Sequence, residues 1–316
     1  MSYAAQTKKE LTMISDDACC RKAEVEAIIS LNGTVRSLGD RSVLDVETEN
    51  VATARRIYTQ IKELYTIQPE VLVRKKMRLK KNNVYAVRVP GAQHESMLND
   101  LGWASPVSPG ALAPPAARKR KACCRRALLR GAFLAAGSVN DPGSSSYHLE
   151  IATSTQVQAE QLQTAMNSYG LHAKRIRRKK GFVVYLKEGE KIVEFLSLIG
   201  AHQALLRFED VRILKGMRNQ VNRLVNCETA NMNKTIGAAV RQLEVIRLID
   251  RRIGLNNLPI HLREVADLRI RYPEITLQEL SELMTHRISK SGLNHRFRKL
   301  EEIAQQLREP SDNTHS

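Results

Sequence analysis

The sequence predicts an α+β fold of two related lobes, followed by a C-terminal all-α module. Three observations support this prediction. A motif occurs twice at a wide spacing, the same order of helix and strand patterns follows each copy, and the pattern near the C-terminus is purely helical. With 316 residues, the chain is long enough for two or three domains with their own buried cores.

The first observation is an internal repeat. Residues 19–35 are CCRKAEVEAIISLNGTV, and residues 123–139 are CCRRALLRGAFLAAGSV. Both copies begin with two cysteines and two basic residues, continue as an apolar helical run, and end in glycine, a small hydroxyl residue and valine. This ordered agreement predicts two copies of one α+β unit related by a pseudo-twofold axis.

Small residues predict that the two repeated helices pack against each other. Ala27 and Gly131 occupy matching positions, and Ala135 lies one turn beyond Gly131. Because residues i and i+4 share a helix face, small side chains at this spacing let two backbones approach closely. Gly33 and Gly137 are predicted to end the two helices, as glycines at helix C-termini commonly do.

Similar patterns follow each copy of the repeat. SVLDVET, a helix around 51–64, VLVRKKMRLK and NNVYAVRV follow the first copy; SYHLEIAT, a helix around 156–169, AKRIRRKK and GFVVYLK follow the second. Each half is therefore predicted as helix, strand, helix, strand, strand.

Between the halves, Trp103 is predicted to be a packing anchor. The predicted domains are a first half (1–102), a Pro- and Ala-rich linker (103–120), a second half (121–220) and a helical C-terminal region (221–316).

Composition indicates a polyanionic partner. Fifty Lys and Arg against 33 Asp and Glu give a formal net charge of +17, which favours nucleic acid first and an anionic membrane second. The aromatic content of 4% argues against single-strand binding by base stacking. No stretch approaches the roughly 18 apolar residues of a membrane-spanning helix, and the N-terminus lacks a signal-peptide pattern. The sequence therefore predicts a cytoplasmic, nucleoid-associated protein with no membrane partner.

The C-terminal region predicts a helix-turn-helix. The segment IHLREVADLRIRYP predicts a helix that ends at Pro273. Thr276 and Glu279 form a capping-box pattern at the start of the next helix, and Ser289 is a predicted N-cap of the last. The apolar residues expected to face the core are Leu277, Leu280, Leu283, Met284, Leu293, Phe297 and Leu300. Upstream, the Asn-rich stretch 218–233 is predicted to be a linker that precedes a helix beginning at Lys234.

The last helix is basic and contains asparagine, a composition typical of a recognition helix in the DNA major groove. The candidates for base contacts are Lys290, Ser291, Asn294, His295 and Arg298. The candidates for phosphate contacts are Arg287, Arg296 and Lys299. Thr276 and Ser289 complete the predicted DNA-binding set. The alternative is a charged, solvated helix in an ordinary bundle.

Two basic runs, at 74–81 and 174–180, occupy comparable places in the two halves. They predict a second set of DNA contacts, which would weaken steeply with salt because binding releases counterions. The candidates are Arg74, Lys75, Lys76, Arg78, Lys80, Lys174, Arg175, Arg177, Arg178 and Lys179. The alternative is a pair of solvated edge strands whose lysines discourage aggregation.

The motifs VEAIISLNG (25–33) and LRGAFLAAG (129–137) resemble the LAGLIDADG homing endonuclease fold. That resemblance implies two helices packed across a pseudo-twofold axis and two four-stranded sheets that form a saddle over DNA. Active members carry a carboxylate just before the last glycine of each motif to hold Mg²⁺. Asn32 and Ala136 occupy those positions here, so the resemblance implies a saddle without catalysis and without a metal. Nucleotide-binding glycine loops are absent too, so no cofactor is predicted.

Longer segments resemble the WhiA family, a degenerate form of this fold fused to a C-terminal helix-turn-helix. The matching segments are 123–142, 146–151, 218–235 and 288–304. The resemblance implies a sequence-specific transcriptional regulator that binds double-stranded DNA and acts in cell division, chromosome segregation or sporulation-type gene control. Other transcription or cell-division proteins are further candidate partners. The alternatives are an active endonuclease, or a saddle that docks a protein while only the helix-turn-helix binds DNA.

Five cysteines in a chain without secretion signals do not indicate a disulfide framework. Cys19, Cys20, Cys123 and Cys124 are expected to be small buried core residues. A four-cysteine zinc site is the alternative. It is less favoured because adjacent residues on a helix point about 100° apart, unlike the usual C-x₂-C spacing. Cys227 has no neighbouring pattern that predicts catalysis.

Overall fold

The computed structural model describes residues 1–38, 41–75, 83–103, 109–112, 115 and 120–308. The chain forms two compact units, Met1–Gly216 and Met217–Ser316. The helices are α1 (Tyr3–Leu11), α2 (Ala18–Asn32), α3 (Val51–Tyr65), α4 (Gly91–Leu101), α5 (Ala122–Ala136), α6 (Gln156–Asn167), α7 (Gly189–Ile199), α8 (His202–Ile253), α9 (Ile260–Arg271), α10 (Leu277–Glu282) and α11 (Lys290–Arg308). The strands are β1 (Gly33–Leu38), β2 (Arg41–Thr48), β3 (Glu70–Lys75), β4 (Asn83–Pro90), β5 (Gly110–Ala111), β6 (Gly137–Val139), β7 (Leu149–Thr153), β8 (Lys174–Arg178) and β9 (Gly181–Leu186).

The first unit contains the two predicted α+β copies. Each copy runs helix, strand, strand, helix, strand, strand, helix, from α2 to α4 and from α5 to α7. The prediction of two related copies is confirmed, but each copy has one more strand and one more helix than predicted. The additional strands, β1 and β6, begin at Gly33 and Gly137 directly after a helix, with no turn residues to separate the two patterns.

Both sheets of the first unit are antiparallel. In the described residues the first has strand order β3-β4-β2-β1-β5, and the second has order β6-β7-β9-β8. Strand β5 comes from the segment predicted to be a linker and pairs with β1, with Thr34 opposite Ala111 and Val35 opposite Gly110. Part of that segment therefore extends the first sheet beyond the four strands that the family resemblance implies.

One hydrophobic core spans both copies of the first unit. Fully buried Ile28 and Ile29 of α2 join Phe133 and Leu134 of α5 in this core, together with residues from both sheets. Trp103 is 7% exposed and belongs to the same cluster, so its prediction as a packing anchor is confirmed. Because the two copies share apolar contacts, they are expected to unfold together.

The helix ends at Gly33 and Gly137 are confirmed, but the predicted reason for the glycines is wrong. Gly33 has φ −82° and Gly137 has φ −76°, so both are extended rather than left-handed. A Cβ atom at Gly33 would lie 2.5 Å from the carbonyl oxygen of Ile29, and one at Gly137 would lie 2.3 Å from the ring of Phe133. Glycine is needed because a side chain would collide with the preceding helical turn.

Helix α8 runs from His202 to Ile253, so the predicted linker at 218–233 is wrong. That stretch contains neither proline nor glycine, and asparagine lowers helix propensity by only about 0.7 kcal/mol per residue relative to alanine. The lower helix propensity of this stretch is therefore too small an effect to interrupt the helix. In the described part of the chain, none of the helices combines the length and apolarity needed to cross a bilayer.

The second unit packs α9, α10 and α11 around its own hydrophobic core. Val265 of α9, Leu280 of α10 and Leu300 of α11 are fully buried in this cluster, so the predicted helix-turn-helix arrangement is present. Leu283, predicted to face the core, is instead 48% exposed. Helix α10 ends at Glu282, and Leu283 is its C-cap residue.

Candidate nucleic-acid interface

Helices α2 and α5 cross at a very close distance. A Cβ atom at Gly131 would lie 2.4 Å from the carbonyl oxygen of Glu24 and 3.0 Å from Cβ of Ala27. Any side chain at Gly131 would therefore push the two backbones apart. The predicted pairing of Ala27 with Gly131 is confirmed.

A buried ion-pair network joins the halves beside this crossing. The carboxylate of Glu24 is fully buried and accepts hydrogen bonds from Arg56 at 2.8 Å, Gln60 at 2.9 Å and Arg130 at 2.7 Å. Arg130 also pairs with Asp16. Because Arg130 comes from the second half and the other groups from the first, the network fixes the two halves relative to each other.

The positions that hold carboxylates in active endonucleases lie at the C-terminal ends of α2 and α5. The amide nitrogen of Asn32 donates to the carbonyl oxygen of Glu47 at 2.9 Å and to that of Ala135 at 3.1 Å. Its side chain therefore ties the two helix ends together, and Ala136 offers no ligand atom. A neutral amide already bonded to two carbonyls is a poor ligand for Mg²⁺, which prefers anionic oxygen.

The N-terminal helix α1, which the sequence patterns did not reveal, contributes a cation near these positions. Lys8 and Asn32 line the same surface groove. Burial lowers the pKa of Lys8 to about 8, although the nearby charge of Glu49 acts in the opposite direction. Helix α1 is anchored by Glu10, two residues after Lys8, which accepts hydrogen bonds from the backbone N–H groups of Gln203 and Ala204 at 2.7 and 3.0 Å.

The face of the first sheet opposite the core carries alternating charges that pair with one another. Arg88 donates to both carboxylate oxygens of Asp45, at 2.7 and 2.9 Å. Arg36 contacts Asp45 at 3.3 Å and Glu47 at 2.7 Å. Arg74, a predicted DNA contact, lies 3.5 Å from Glu47. In the described part of this face, three arginines therefore share two carboxylates, and the rest of the basic run at 76–81 lies outside the described residues.

Asp45 is the buried centre of these ion pairs. Burial by itself raises the pKa of its carboxyl group, but the hydrogen bonds of Arg88 and the charges of Arg88, Arg36 and Arg74 outweigh this effect and lower the pKa below the usual value. Asp45 is therefore ionised at neutral pH and stabilises the arginines around it.

The second sheet presents a hairpin tip with a dense positive charge. Strand β8 is exposed throughout, and the turn that follows it contains Lys179 and Lys180. Alternation divides the predicted residues between two faces. Lys174 and Arg178 share the face opposite the core, while Arg175 and Arg177 lie on the helix side. Arg175 pairs with Glu160 of α6 at 2.5 Å, and Arg178 pairs with Glu150 at 3.2 Å.

Helix caps position the predicted recognition helix in the second unit. The hydroxyl of Thr276 accepts from the backbone N–H of Glu279 at 3.2 Å, and the carboxylate of Glu279 accepts from the N–H of Thr276 at 2.7 Å, as the capping-box pattern predicts. The hydroxyl of Ser289 accepts from the N–H of Gly292 at 3.1 Å. Both hydroxyls therefore stabilise helix N-termini.

The exposed face of α11 carries most of the predicted DNA-contacting residues. The exposed members are Lys290, Ser291, Asn294, His295, Arg298 and Lys299, with Arg287 just before the helix. Arg296 differs from them because it is partly buried: it donates to the carbonyl oxygen of His261 at 3.3 Å and lies 3.9 Å from Glu264. Arg296 therefore attaches α11 to α9.

A buried arginine, which the helical pattern did not single out, supports the turn before α10. Arg269 is 1% exposed and lies over the ring of Phe297, 5.6 Å from its centroid. Its guanidinium donates to the carbonyl oxygens of Tyr272 at 3.4 Å and Ile275 at 2.8 Å. Burial lowers the pKa of Arg269, and the carbonyls and the aromatic ring provide its compensating contacts.

Comparison with known proteins agrees with this two-part arrangement. Residues 18–103 match the WhiA N-terminal LAGLIDADG-like domain, residues 125–218 match the WhiA LAGLIDADG-like domain, and residues 221–304 match the WhiA C-terminal HTH domain. The chain belongs to the WhiA family. Its WhiA relatives include proteins of Brevibacillus brevis (60% identical, covering 98% of each chain) and Anoxybacillus flavithermus (58% identical, covering 98% of this chain and 96% of the relative). Both carry the name "Probable cell division protein WhiA".

The fold is also similar to a crystal structure of full-length WhiA from Thermatoga maritima. The two share 24% sequence identity with a TM-score of 0.60, and the likeness covers 98% of this chain and all of that one. This likeness supports the WhiA fold.

Three of the predicted DNA contacts, Lys76, Arg78 and Lys80, lie outside the described residues.

Proposed function

We propose that this WhiA-family chain is a sequence-specific double-stranded DNA-binding regulator of transcription that does not cleave DNA. The observation that carries the proposal is the exposed polar face at the N-terminal end of α11, which a capped turn and a buried core hold in place. Asn294 can bond adenine bidentately, and Arg298 can bond guanine, from this face. The names of the relatives support a role in the control of cell division genes.

The proposal excludes phosphodiester cleavage because of the groups at the ends of α2 and α5. Cleavage by the endonuclease chemistry needs anionic oxygens that hold divalent cations at the scissile phosphates. Asn32 already donates to two carbonyls and Ala136 offers no ligand atom, so neither helix end supplies the anionic oxygen that this chemistry needs.

Among the described residues of the first unit, the tip of the β8–β9 hairpin is proposed to contact the DNA backbone. Lys179 and Lys180 at the tip of β8 and β9 are exposed, whereas Arg74 and Arg88 on the first sheet already have carboxylate partners. Breaking those pairs would offset part of the free energy gained at a phosphate. We therefore expect Lys179 and Lys180 to contribute more to DNA affinity than Arg74 and Arg88.

The experiment compares binding to a duplex that the full chain enriches from a random library with binding to a scrambled duplex of equal length. The double variant Asn294→Ala/Arg298→Ala is expected to lose at least about tenfold of its preference for the enriched duplex, because bidentate base contacts contribute about 1–3 kcal/mol each. Arg287→Ala, at a predicted phosphate contact, serves as the matched control. It should weaken binding to both duplexes equally and reduce the salt slope by about one.

The assignment of α11 as the recognition helix fails if the double variant keeps the preference of the wild type. If Lys179→Ala/Lys180→Ala leaves the salt dependence unchanged, the hairpin does not contact the backbone. In that case the first unit would serve to dock another protein while the helix-turn-helix binds DNA.

A further inference from the structure

Four cysteines meet where the first turns of α2 and α5 come together. Cys19, Cys20, Cys123 and Cys124 are the second and third residues of their helices. Their four sulfur atoms all lie within 4.8 Å of one another, and the sulfurs of Cys123 and Cys124 are 3.9 Å apart. The cluster lies at the opposite end of the helix pair from Asn32, so it is separate from the former catalytic positions.

The distances fit a single tetrahedral ion. A zinc–sulfur bond of about 2.3 Å places the sulfurs of a tetrahedral site about 3.8 Å apart. The observed spacing needs a contraction of less than about 1 Å, within the reach of side-chain rotation. Adjacent cysteines diverge along one helix, which argued against a metal in the sequence. The crossing nevertheless brings the two cysteines of each helix within 4.8 Å of the two on the other.

Core packing accounts for three of the four cysteines, because Cys123 is partly buried against the same small cluster as Cys20 and Cys124. Cys20 and Cys124 are buried, 4% and 8% exposed, and contact Ala23 and Ala127 as small apolar residues would. Cys19 is exposed, contrary to the expectation of a buried core residue, and it gains nothing from burial. Metal ligation is a function that all four thiols can share, and the exposed side of the cluster leaves a path for an ion to enter.

Burial raises the pKa of Cys20 and Cys124, so a bound cation and the helix N-termini would have to stabilise their thiolates. Four thiolates around a divalent ion carry two net negative charges, and the N-termini of two helices converge on them. Neither Asp17 nor Lys121, the residues before the two helices, caps its helix with a side-chain hydrogen bond. Arg125 directly follows the second cysteine pair, whereas Arg21, after the first pair, already forms an ion pair with Glu63 at 2.5 Å.

We propose that Cys19, Cys20, Cys123 and Cys124 form a structural zinc site that fastens the two halves of the first unit together. Binding forms four sulfur–zinc bonds and releases the thiol protons to solvent. Because the ligands come from segments about 100 residues apart in sequence, the ion closes a long loop and stabilises the folded pair of halves. The site would hold the helix ends opposite the hydrogen bonds of Asn32.

The test uses the full chain, purified with a phosphine reductant and without chelator. Elemental analysis is expected to find about one zinc per chain, and Co²⁺ substitution should give the absorption bands of tetrahedral cobalt thiolate. The variant Cys19→Ser/Cys123→Ser removes the two ligands that contribute least to the core, so it should fold by circular dichroism but bind zinc at least about 100-fold more weakly. Cys227→Ser, at the fifth cysteine, is the matched control and should keep the full metal content.

Stability provides an independent readout. Removal of zinc by a strong chelator should lower the Tm of the wild type and of Cys227→Ser by about 5 °C or more, with no change in the double variant. The proposal is overturned if the wild type lacks stoichiometric metal after zinc supplementation, or if the double variant retains it. Recovery of the reductant-treated protein with a disulfide among these four cysteines would also overturn it.

Discussion

Replacing Gly131 with alanine tests the close contact between α2 and α5. On an isolated helix this substitution stabilises by about 1 kcal/mol, because alanine has the higher helix propensity. Here the new Cβ would lie 2.4 Å from the carbonyl oxygen of Glu24, about 1 Å closer than van der Waals contact allows. Backbone cannot rotate away as a side chain can, so the cost should reach the upper part of the usual overpacking range, about 3 kcal/mol. The expected net loss is about 2 kcal/mol.

Urea unfolding followed by the fluorescence of Trp103, the single tryptophan, measures this loss in the first unit. Gly216→Ala is the control, because Gly216 lies on α8 with nothing within 4 Å of the position of a Cβ atom. That control should leave stability unchanged or raise it by up to about 1 kcal/mol. An unchanged or increased free energy of unfolding in Gly131→Ala would refute the close crossing.

Three further substitutions test other contacts. Asp45→Asn should cost about 2 kcal/mol at pH 7, because it leaves Arg88 without its charged partner. Folding lowers the pKa of Asp45. Its contribution to the free energy of unfolding is therefore complete above the unfolded-state pKa, near 4, and is lost as the pH falls through the folded-state pKa. The gap between wild type and variant in urea unfolding should therefore narrow from pH 7 to pH 3, and a constant gap would contradict the ion pair. Arg269→Met should lower the thermal stability of the second unit, seen by circular dichroism, by about 2–4 kcal/mol through loss of the bonds to Ile275; the Trp103 transition should not move. Thr276→Ala should lower the stability of the second unit by about 1 kcal/mol through loss of the N-cap. If the folded variant binds DNA as tightly as the wild type, the hydroxyl of Thr276 serves only as a cap.

The repeat and its small residues predicted the centre of the first unit because they reflect a local physical requirement. Two helices can cross this closely only where side chains are as small as Ala27 and Gly131. The same applies to the capping box at Thr276, whose two hydrogen bonds involve residues three apart in sequence. Patterns of this kind are local, and they were readable without knowledge of the fold.

The features that sequence patterns missed depend on distant partners or on the absence of a signal. Helix α1 is held in place because its Glu10 accepts a hydrogen bond from the backbone at the start of α8, nearly 200 residues away in sequence. The charges on the first sheet pair across strands, so the basic character of Arg74 was visible but its carboxylate partner was not. Likewise, the cysteine pairs looked unsuited to a metal because the crossing of two helices, rather than the spacing along one, sets the distance between their sulfurs.

The proposed function requires that this fold bind duplex DNA and lack the groups that cut it. Titration of supercoiled plasmid with the full chain, in Mg²⁺ and across a series of salt concentrations, tests both parts at once. We expect retarded plasmid at low salt, release as salt rises, and fully supercoiled DNA after the protein is removed by protease. Nicked or linear product that a chelator prevents, or no retardation at the lowest salt, would contradict it.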